Sequence, residues 1–441
     1  MKKNLANDGF ASVSLTLNVP GFPKNNKVVN AFFRLILTDL KFYLTARRIQ
    51  IDYGKETIIS VPAGDFFLAP VVENHLDLAG FKNICEEFEE SHPLGRFIDV
   101  DLTDSDAKPV SSGKQKLCFY CGTKPAVECR RGNVHQTEEL RLFMFSKMKG
   151  FCQERRQKMI AKKLSAQALN AMLTEISLTP KPGLVDRFNN GSHTDMDYLS
   201  FLGSSATIST WFEELAGAGF HFNKKQLEKA LPVIREIGLR MEHAMFETTK
   251  GVNTQKGLIF LMGLSIFAFA MIFKKADRFD FEDFRSVVKS ICKNLVGNEL
   301  AINPDLAKSH GEQMFSKYRA TGARGEAESG FQTIFDFGMT WLTAAPEITD
   351  EELQKCFLGI ASHNVDTNML YRGGQGVLSQ FQELCKKTLH DFNPENYSAL
   401  IDFCKNKNVS PGGSADLLAV AIFIHKVFTE VERQFFYKIL E

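Results

Sequence analysis

The period of the apolar residues changes once along this chain. Val13, Leu15, Leu17 and Val19 alternate with polar neighbours, the two-residue period of a strand with one buried face, and Pro20-Gly21 ends the run. Arg48–Asp52 and Thr57–Val61 flank Tyr53-Gly54-Lys55-Glu56 and predict a hairpin. In the strand predicted over Phe97–Leu102, Ile98, Val100 and Leu102 share one face and Asp99 and Asp101 the other. Helical spacing covers Val28–Thr45, His75–Glu90 and Thr137–Lys149. After Gly150 the strand signals stop. Apolar and amphipathic runs then predict helices over Lys158–Ile176, Met196–Leu215, Lys225–Phe246, Leu258–Lys274, Phe281–Leu295, Phe331–Leu342, Asp350–Ala361, Gln375–Leu389 and Ala415–Leu440. The pattern predicts an N-terminal α+β domain over residues 10–150 and a C-terminal all-α helical domain over residues 160–441, with the break near Gly150–Lys163.

One helix is apolar all round. No charge interrupts Gly257–Phe273, but a membrane span needs about 20 apolar residues, and Lys256 and Lys274 close this shorter run. It is expected to be the buried central helix of its domain, and no membrane partner is expected.

Composition narrows the function classes. Net charge is +1, divided as +2 before residue 150 and −1 after it. Neither half has the basic excess that binds nucleic acid. No apolar stretch follows the opening MKKNLANDGF, so no secretory signal is expected. Nine cysteines in 441 residues do not make a secreted disulfide framework, and a reducing cytoplasm is the expected location.

Five glycine-rich, charged segments punctuate the helical half: Thr179–Arg187, Gly251–Gly257, Thr321–Gly330, Val365–Gly376 and Ser410–Leu418. Such loops beside helix starts hold phosphates and metal ions, so they are expected to form one polyphosphate site. In the first, two prolines hold Lys181 in an extended loop, ahead of Gly183 and Asp186-Arg187. Asn190, His193, Asp195 and Asp197 follow; they offer carboxylates to Mg²⁺, or an acidic cap to the next helix, the role favoured for Asp197. The third sets Arg324, Glu326 and Glu328 among glycines; the fourth carries Asp366, Asn368 and Arg372; the fifth opens the last helix with Gly412-Gly413. Glycines let backbone amides approach an anion, arginine pairs with phosphate in a fork, and a carboxylate holds Mg²⁺ or moves a proton.

On these five segments, in order and at similar spacing, the C-terminal half resembles the triphosphoribosyl-dephospho-CoA synthases. The resemblance implies that ATP and 3′-dephospho-CoA are substrates: the 2′-hydroxyl attacks the anomeric carbon of the ATP ribose, adenine leaves and the triphosphate is kept. It implies Lys181, Arg187, Lys256, Arg324 and Arg372 on phosphates, and Glu326, Glu328, Asp366 and Asp416 as metal or acid–base groups. Two positions depart from the family pattern. Gln255 stands where a histidine is usual, and Val365 where a glycine is usual. Glutamine cannot shuttle a proton, so the histidine is read as not being the family's acid or base.

The smaller domain carries two further constellations. Asp99 and Asp101, one pleat apart, could share Mg²⁺ as phosphoryl- and nucleotidyl-transfer sites require, or simply form a solvated strand face. His92, Gly95 and Arg96 precede them. Cys118, Cys121, Cys129 and His135 form C-x₂-C-x₇-C-x₅-H, either a structural zinc site or buried reduced thiols. With Ser14–Asn25, these segments resemble the apo-citrate lyase phosphoribosyl-dephospho-CoA transferases. That resemblance implies a nucleotidyltransferase-like Asp-x-Asp strand, with Asp99 and Asp101 on Mg²⁺ or another divalent cation. Lys24, Arg96 and Arg130 or Arg131 would lie on phosphates, and the target would be a serine of the citrate lyase acyl carrier subunit, with diphosphate released. Ser111–Cys118 departs by offering Lys114 and Lys116 where more arginine is expected.

The combined expectation is a bifunctional transferase whose C-terminal product is its N-terminal substrate. Two alternatives stay open at this point. One is the same chemistry serving a malonate decarboxylase carrier; the other is a non-catalytic nucleotide-binding sensor fused to a zinc module.

Overall fold

A computed structural model describes residues 1–73, 76–274, 279–300, 309–344 and 348–432 of the chain, in two compact units. The described residues of the first run from Met1 to Arg156, and those of the second start at Gln157.

The first unit is a mixed α/β structure. After a short helix α1 (Lys2–Asn7) come β1 (Ser12–Leu17), α2 (Lys27–Ala46), β2 (Gln50–Ile51), β3 (Thr57–Val61), β4 (Gly64–Glu73), α3 (Leu78–Ser91), β5 (Ile98–Thr103), β6 (Pro109–Val110) and α4 (Ala126–Arg131). The sheet is antiparallel in the order β2-β4-β1-β5-β6, with β3 also pairing β4. Val13, Leu15, Ile98, Val100 and Leu102 face a core completed by Phe32, Phe33, Ile36 and Leu40 of α2 and Phe81 and Cys85 of α3. The expected hairpin is corrected here. Residues 50–51 and 57–61 do not pair with each other; each pairs with β4, an inner strand that alternation missed. Its sequence DFFLAPVV has no polar alternation because both of its faces are covered: Phe67, Leu68, Ala69 and Pro70 are all buried in succession, so period two is hidden. His75, the expected start of α3, lies outside the described residues.

β6 covers only one end of β5, which leaves Val100 at an open edge. Two charged side chains of α3 close it. Lys82 Nζ donates to the Val100 carbonyl at 3.0 Å, and the Val100 amide donates to Glu89 Oε1 at 2.8 Å. Both side chains are buried. Satisfying the edge in this way blocks pairing with another strand and fixes the strand that carries Asp99 and Asp101.

The second unit is mostly helical. Helix α5 (Thr137–Ser177) belongs to the first unit as far as Arg156 and to the second from Gln157, and is followed by α6 (Tyr198–Ser209), α7 (Phe212–His221), α8 (Ala230–Thr248), α9 (Lys256–Phe273), α10 (Phe281–Ile291), α11 (Leu295–Glu299), α12 (His310–Tyr318), α13 (Gly322–Glu328), α14 (Met339–Thr343), α15 (Asp350–Ala361), α16 (Thr367–His390), α17 (Pro394–Lys407) and α18 (Gly412–Glu432). The uncharged helix α9 is buried along nearly its whole length, against α7, α8, α10 and α18. By length and composition α9 and part of α18 would pass for membrane spans, yet most of each is enclosed by the unit's own helices.

Several boundaries differ from the pattern. Thr137–Lys149 and Lys158–Ile176 are one helix of 41 residues; the polar stretch between them contains no proline, and Gly150 is tolerated. Met196–Leu215 is two helices, broken at Thr210-Trp211. Thr321–Gly330 and Val365–Gly376, expected to be loops, instead hold α13 and the start of α16. Each begins helical despite its glycines, and Gly374, at φ 73°, only kinks α16. The end of the last expected helix, residues 433–440, lies outside the described residues.

Phe269 sits at the centre of the second core, fully buried, with its ring 4.4 Å from that of Phe284 and 5.6 Å from that of Phe423. Phe269→Ala leaves a cavity in close-packed surroundings and is expected to destabilise the helical unit by about 3–5 kcal/mol. Urea unfolding followed by circular dichroism measures this.

Candidate active sites

In the first unit, the tight turn before β5 depends on Gly95. A Cβ there would stand 1.5 Å from the Glu89 carbonyl oxygen, so no other residue fits. His92 Nδ1 accepts from the Leu94 amide at 3.0 Å, and its ring lies among Phe32, Phe88 and Phe151. Burial lowers the pKa of this histidine, which shapes the corner. Asp99 and Asp101 share the face of β5 opposite the core, as alternation predicts. Their surroundings differ. Asp99 lies 2.9 Å from the Lys116 ammonium, which also contacts Glu89 at 2.6 Å. Asp101 is 3.7 Å from Lys82 Nζ.

A cleft of about 1180 Å³ opens over Asp99. Lys24, Arg96, Lys116, Arg130 and Arg131 line it. The tertiary structure therefore brings Lys24, Arg96, Asp99 and Arg130 together, while Asp101 is not among the lining residues. Sequence reasoning missed Glu89. Burial raises its pKa against the pull of Lys116. Burial opposes the charge on Lys116, but hydrogen bonds to Glu89 and Asp99 outweigh it and raise its pKa. The signal was available: Lys82, Glu86 and Glu89 fall on the buried stripe of an amphipathic helix, where charge is rare unless paired.

The ligand atoms of Cys118, Cys121, Cys129 and His135 lie within 4.8 Å of one another. The Cys121 and Cys129 sulfurs are 3.7 Å apart, and His135 Nε2 is buried with no hydrogen-bond partner. Three soft sulfurs and an imidazole nitrogen without a partner suit a four-coordinate metal. Cys118, Cys129 and His135 also line the cleft.

In the second unit all five glycine-rich segments converge. Ser192, just past the first, donates to the Val409 carbonyl at 2.9 Å, and His193 Nε2 lies 2.9 Å from Ser410 Oγ. Arg372 of the fourth donates to the Ser192 carbonyl at 2.8 Å. Asp366 of the fourth caps α16 through the Asn368 and Met369 amides. Its other oxygen accepts from the Ser414 amide at 2.8 Å and hydroxyl at 3.0 Å, in the fifth. Gly322 of the third lies against Thr367, where a Cβ would stand 2.9 Å from Cγ2. Gly257 closes the second onto the fifth: a Cβ there would stand 2.3 Å from Asp416 Oδ2. A Cβ at Gly412 would stand 2.6 Å from Asn368 Nδ2, and one at Gly413 3.2 Å from Asp366 Oδ2, so both glycines serve this closure.

The charged residues divide into two groups. Lys181 is buried and bonded to Glu175 Oε1 at 2.5 Å; Lys256 pairs with Glu242 at 3.0 Å and Arg324 with Glu299 at 2.9 Å. Glu326 accepts from Thr333, and Glu328 from the Val296 amide at 2.8 Å. Each of these five has at least one protein partner. Asp197 forms a capping box at the start of α6, as expected. Arg187 is exposed and its guanidinium makes no hydrogen bond among the described residues; Arg372 is exposed as well. Asp416 is half-buried, with no hydrogen-bond partner among the described residues. Burial, Glu175 and Asp366 push its pKa well above the usual carboxylate range. Burial likewise raises Asp366. It lowers His193, whose neighbour Arg372 acts in the same direction. Glu175 was not singled out by sequence; its signal was a buried acid at the end of an amphipathic helix.

The Gln255 departure has a structural account. Its side chain is buried, accepts from Ser204 at 2.6 Å and donates to Ser205 at 3.1 Å, so its polar atoms join α6 to the start of α9.

Comparison with known proteins decides the identity of both units. The family model for ATP:dephospho-CoA triphosphoribosyl transferase matches residues 161–435, and that for apo-citrate lyase phosphoribosyl-dephospho-CoA transferase matches residues 1–151. The chain belongs to both families. It is similar from end to end to Protein CitXG of Leuconostoc mesenteroides subsp. cremoris, 30% identical over 94% of this chain and 91% of that protein. Protein CitXG of Haemophilus influenzae is 32% identical over 94% of this chain and 90% of its own length. A probable 2-(5″-triphosphoribosyl)-3′-dephosphocoenzyme-A synthase of Pectobacterium carotovorum subsp. carotovorum is 38% identical over 59% of this chain and 88% of its own. The chain is therefore a bifunctional transferase. Its C-terminal half makes triphosphoribosyl-dephospho-CoA from ATP and dephospho-CoA, and its N-terminal half attaches the prosthetic group to the apo-citrate lyase carrier subunit.

Gly257→Ala separates site geometry from stability in the synthase half. Alanine favours a helix over glycine by about 1 kcal/mol, but its methyl displaces Asp416. Adenine release should fall at least about ten-fold, a loss of about 1.4 kcal/mol in transition-state stabilisation. The melting temperature should move little; unchanged turnover would show that the Asp416 position is immaterial.

Proposed function

We propose that the ATP triphosphate lies where the five segments converge, with Arg187 and Arg372 as its cations and Asp416 as the proton-transfer group. The convergence supports this reading: Arg187 and Arg372 are exposed there, and Asp416 has no hydrogen-bond partner among the described residues. As the 2′-oxygen of dephospho-CoA bonds to the anomeric carbon, the bond to adenine breaks. The hydroxyl proton needs a base and departing adenine an acid. A carboxyl of raised pKa at the first turn of α9 suits either duty, and Asp366 holds the fifth segment in place for it. On this reading Lys181 and Glu326, bound to Glu175 and Thr333, serve as scaffold, while Lys256 and Arg324 keep spare donors.

In the N-terminal half the cleft over Asp99 takes the triphosphoribosyl-dephospho-CoA as in nucleotidyltransferases. A serine oxygen of the carrier bonds to the α-phosphorus as its proton passes to solvent, the bond to the bridging oxygen breaks, and diphosphate leaves with its charge met by Lys24, Arg96 and Arg130. Asp99 and Asp101 would hold Mg²⁺. Their fit to a hard cation rests on oxygen-only donors that already draw ammonium groups, and the ion would supply charge neutralisation for phosphoryl transfer. Cys118, Cys121, Cys129 and His135 would hold Zn²⁺. All nine cysteines are free thiols, which suits a reducing cytoplasm.

Point substitutions test the division. Asp416→Asn should cut adenine release from ATP plus dephospho-CoA by at least about 100-fold and leave transfer from preformed triphosphoribosyl-dephospho-CoA intact. Asp99→Asn should do the reverse. If Asp99→Asn also stopped adenine release, the division would be wrong. Elemental analysis of the purified chain should find about one zinc per chain, as a single four-ligand site requires.

A further inference from the structure

The Cys3His cluster is not a module apart from the transferase chemistry. The segment that carries it begins with Lys116, whose ammonium contacts Asp99 and Glu89. The next residue, Leu117, offers its carbonyl to the Arg96 guanidinium, with Nε at 3.1 Å and Nη2 also donating. Cys118, the first ligand, follows directly. Arg130 and Arg131 follow the third ligand, Cys129, on the six-residue helix α4, and all line the cleft with His135. Four of the cationic side chains in the cleft wall therefore either belong to this segment or are docked on its backbone.

One end of the segment is anchored by Phe119 and Tyr120, whose rings pack against Phe97 and Phe143. Its backbone bonds include Cys118 N to Lys124 O at 2.8 Å, Ala126 N to Lys116 O at 2.9 Å, Gly122 N to Cys118 O at 2.9 Å, Val134 N to Cys129 O at 3.0 Å and the turns of α4. A single bridge joins Leu117 to Pro125. A helix this short is marginal by itself. The buried His135 Nε2 has no hydrogen-bond partner, and a metal there would satisfy it and tie Cys118 and Cys121 to Cys129 and His135 across the segment.

We infer that the metal held by Cys118, Cys121, Cys129 and His135 fixes Arg96, Lys116, Arg130 and Arg131 in the phosphate-binding wall of the transferase cleft, so that metal occupancy and diphosphate binding are coupled. This rests on the zinc reading given above. Coupling between two binding equilibria is reciprocal: whatever factor zinc adds to diphosphate affinity, diphosphate adds to zinc affinity.

The reciprocity supplies a readout other than activity. The full chain, loaded with zinc and kept in excess Mg²⁺, is mixed with a chromogenic chelator, and zinc loss is followed with and without inorganic diphosphate. Diphosphate should strengthen zinc retention by roughly five-fold or more, the lower range of ordinary coupling. The double variant Arg130→Gln, Arg131→Gln keeps all four ligands and should bind one zinc, but with most of the diphosphate effect lost. Zinc bound at one per chain yet retained equally with and without diphosphate overturns the coupling and leaves the zinc reading standing. A chain that neither contains nor takes up zinc overturns the zinc reading itself. A double variant that still shows the full diphosphate effect removes Arg130 and Arg131 from the wall.

Discussion

The C-terminal site depends on one buried carboxylate. Asp366 is 1% exposed, and an isolated charge there would be prohibitively costly. It is tolerated because four donors converge on it: two amides at the start of α16, and the amide and hydroxyl of Ser414. Hydrogen bonds to a carboxylate are the strong kind, and these can form only if the fourth and fifth segments meet. Meeting requires the small backbone of Gly412 and Gly413. The same closure carries Asp416 to the first turn of α9, where only glycine at 257 leaves room for it.

Once the segments are locked together, their charges follow two fates. Lys181 and Glu326 are bound to neighbours in buried surroundings, because a charge near a close-packed core must be paired. Arg187 and Arg372 stay exposed, and Asp416 has no hydrogen-bond partner among the described residues. The N-terminal unit follows the same rule: Lys82 and Glu89 are used up on the edge of β5, and by holding that strand they present Asp99 to the cleft.

The sequence alone established much of this molecule. Period two and period 3.6 gave the mixed first unit and the helical second one, because periodicity reports which face of an element is buried. The five glycine-rich segments and the Cys-x₂-Cys pair named the families, since phosphate and metal binding demand particular residue types at short spacing. The alternation in Ile98–Leu102 placed Asp99 and Asp101 on one face. Where a strand is buried on both faces, as in β4, or a polar helix crosses a glycine, as in α5, the local pattern no longer records the element, and the pattern misses or splits it.

Only the tertiary structure decided which charged residue does what. Lys181 and Arg187 stand six positions apart in one segment, yet one is locked to Glu175 and the other faces solvent. Asp99 and Asp101 alternate identically, yet only the first lines the cleft. Glu89 and Glu175 looked like ordinary helix acids and proved to be buried partners of lysines. The physical reason is that an ionic role depends on the distance to a partner and on exposure to water. Both are set by segments far apart in the chain, and residue type and spacing carry neither.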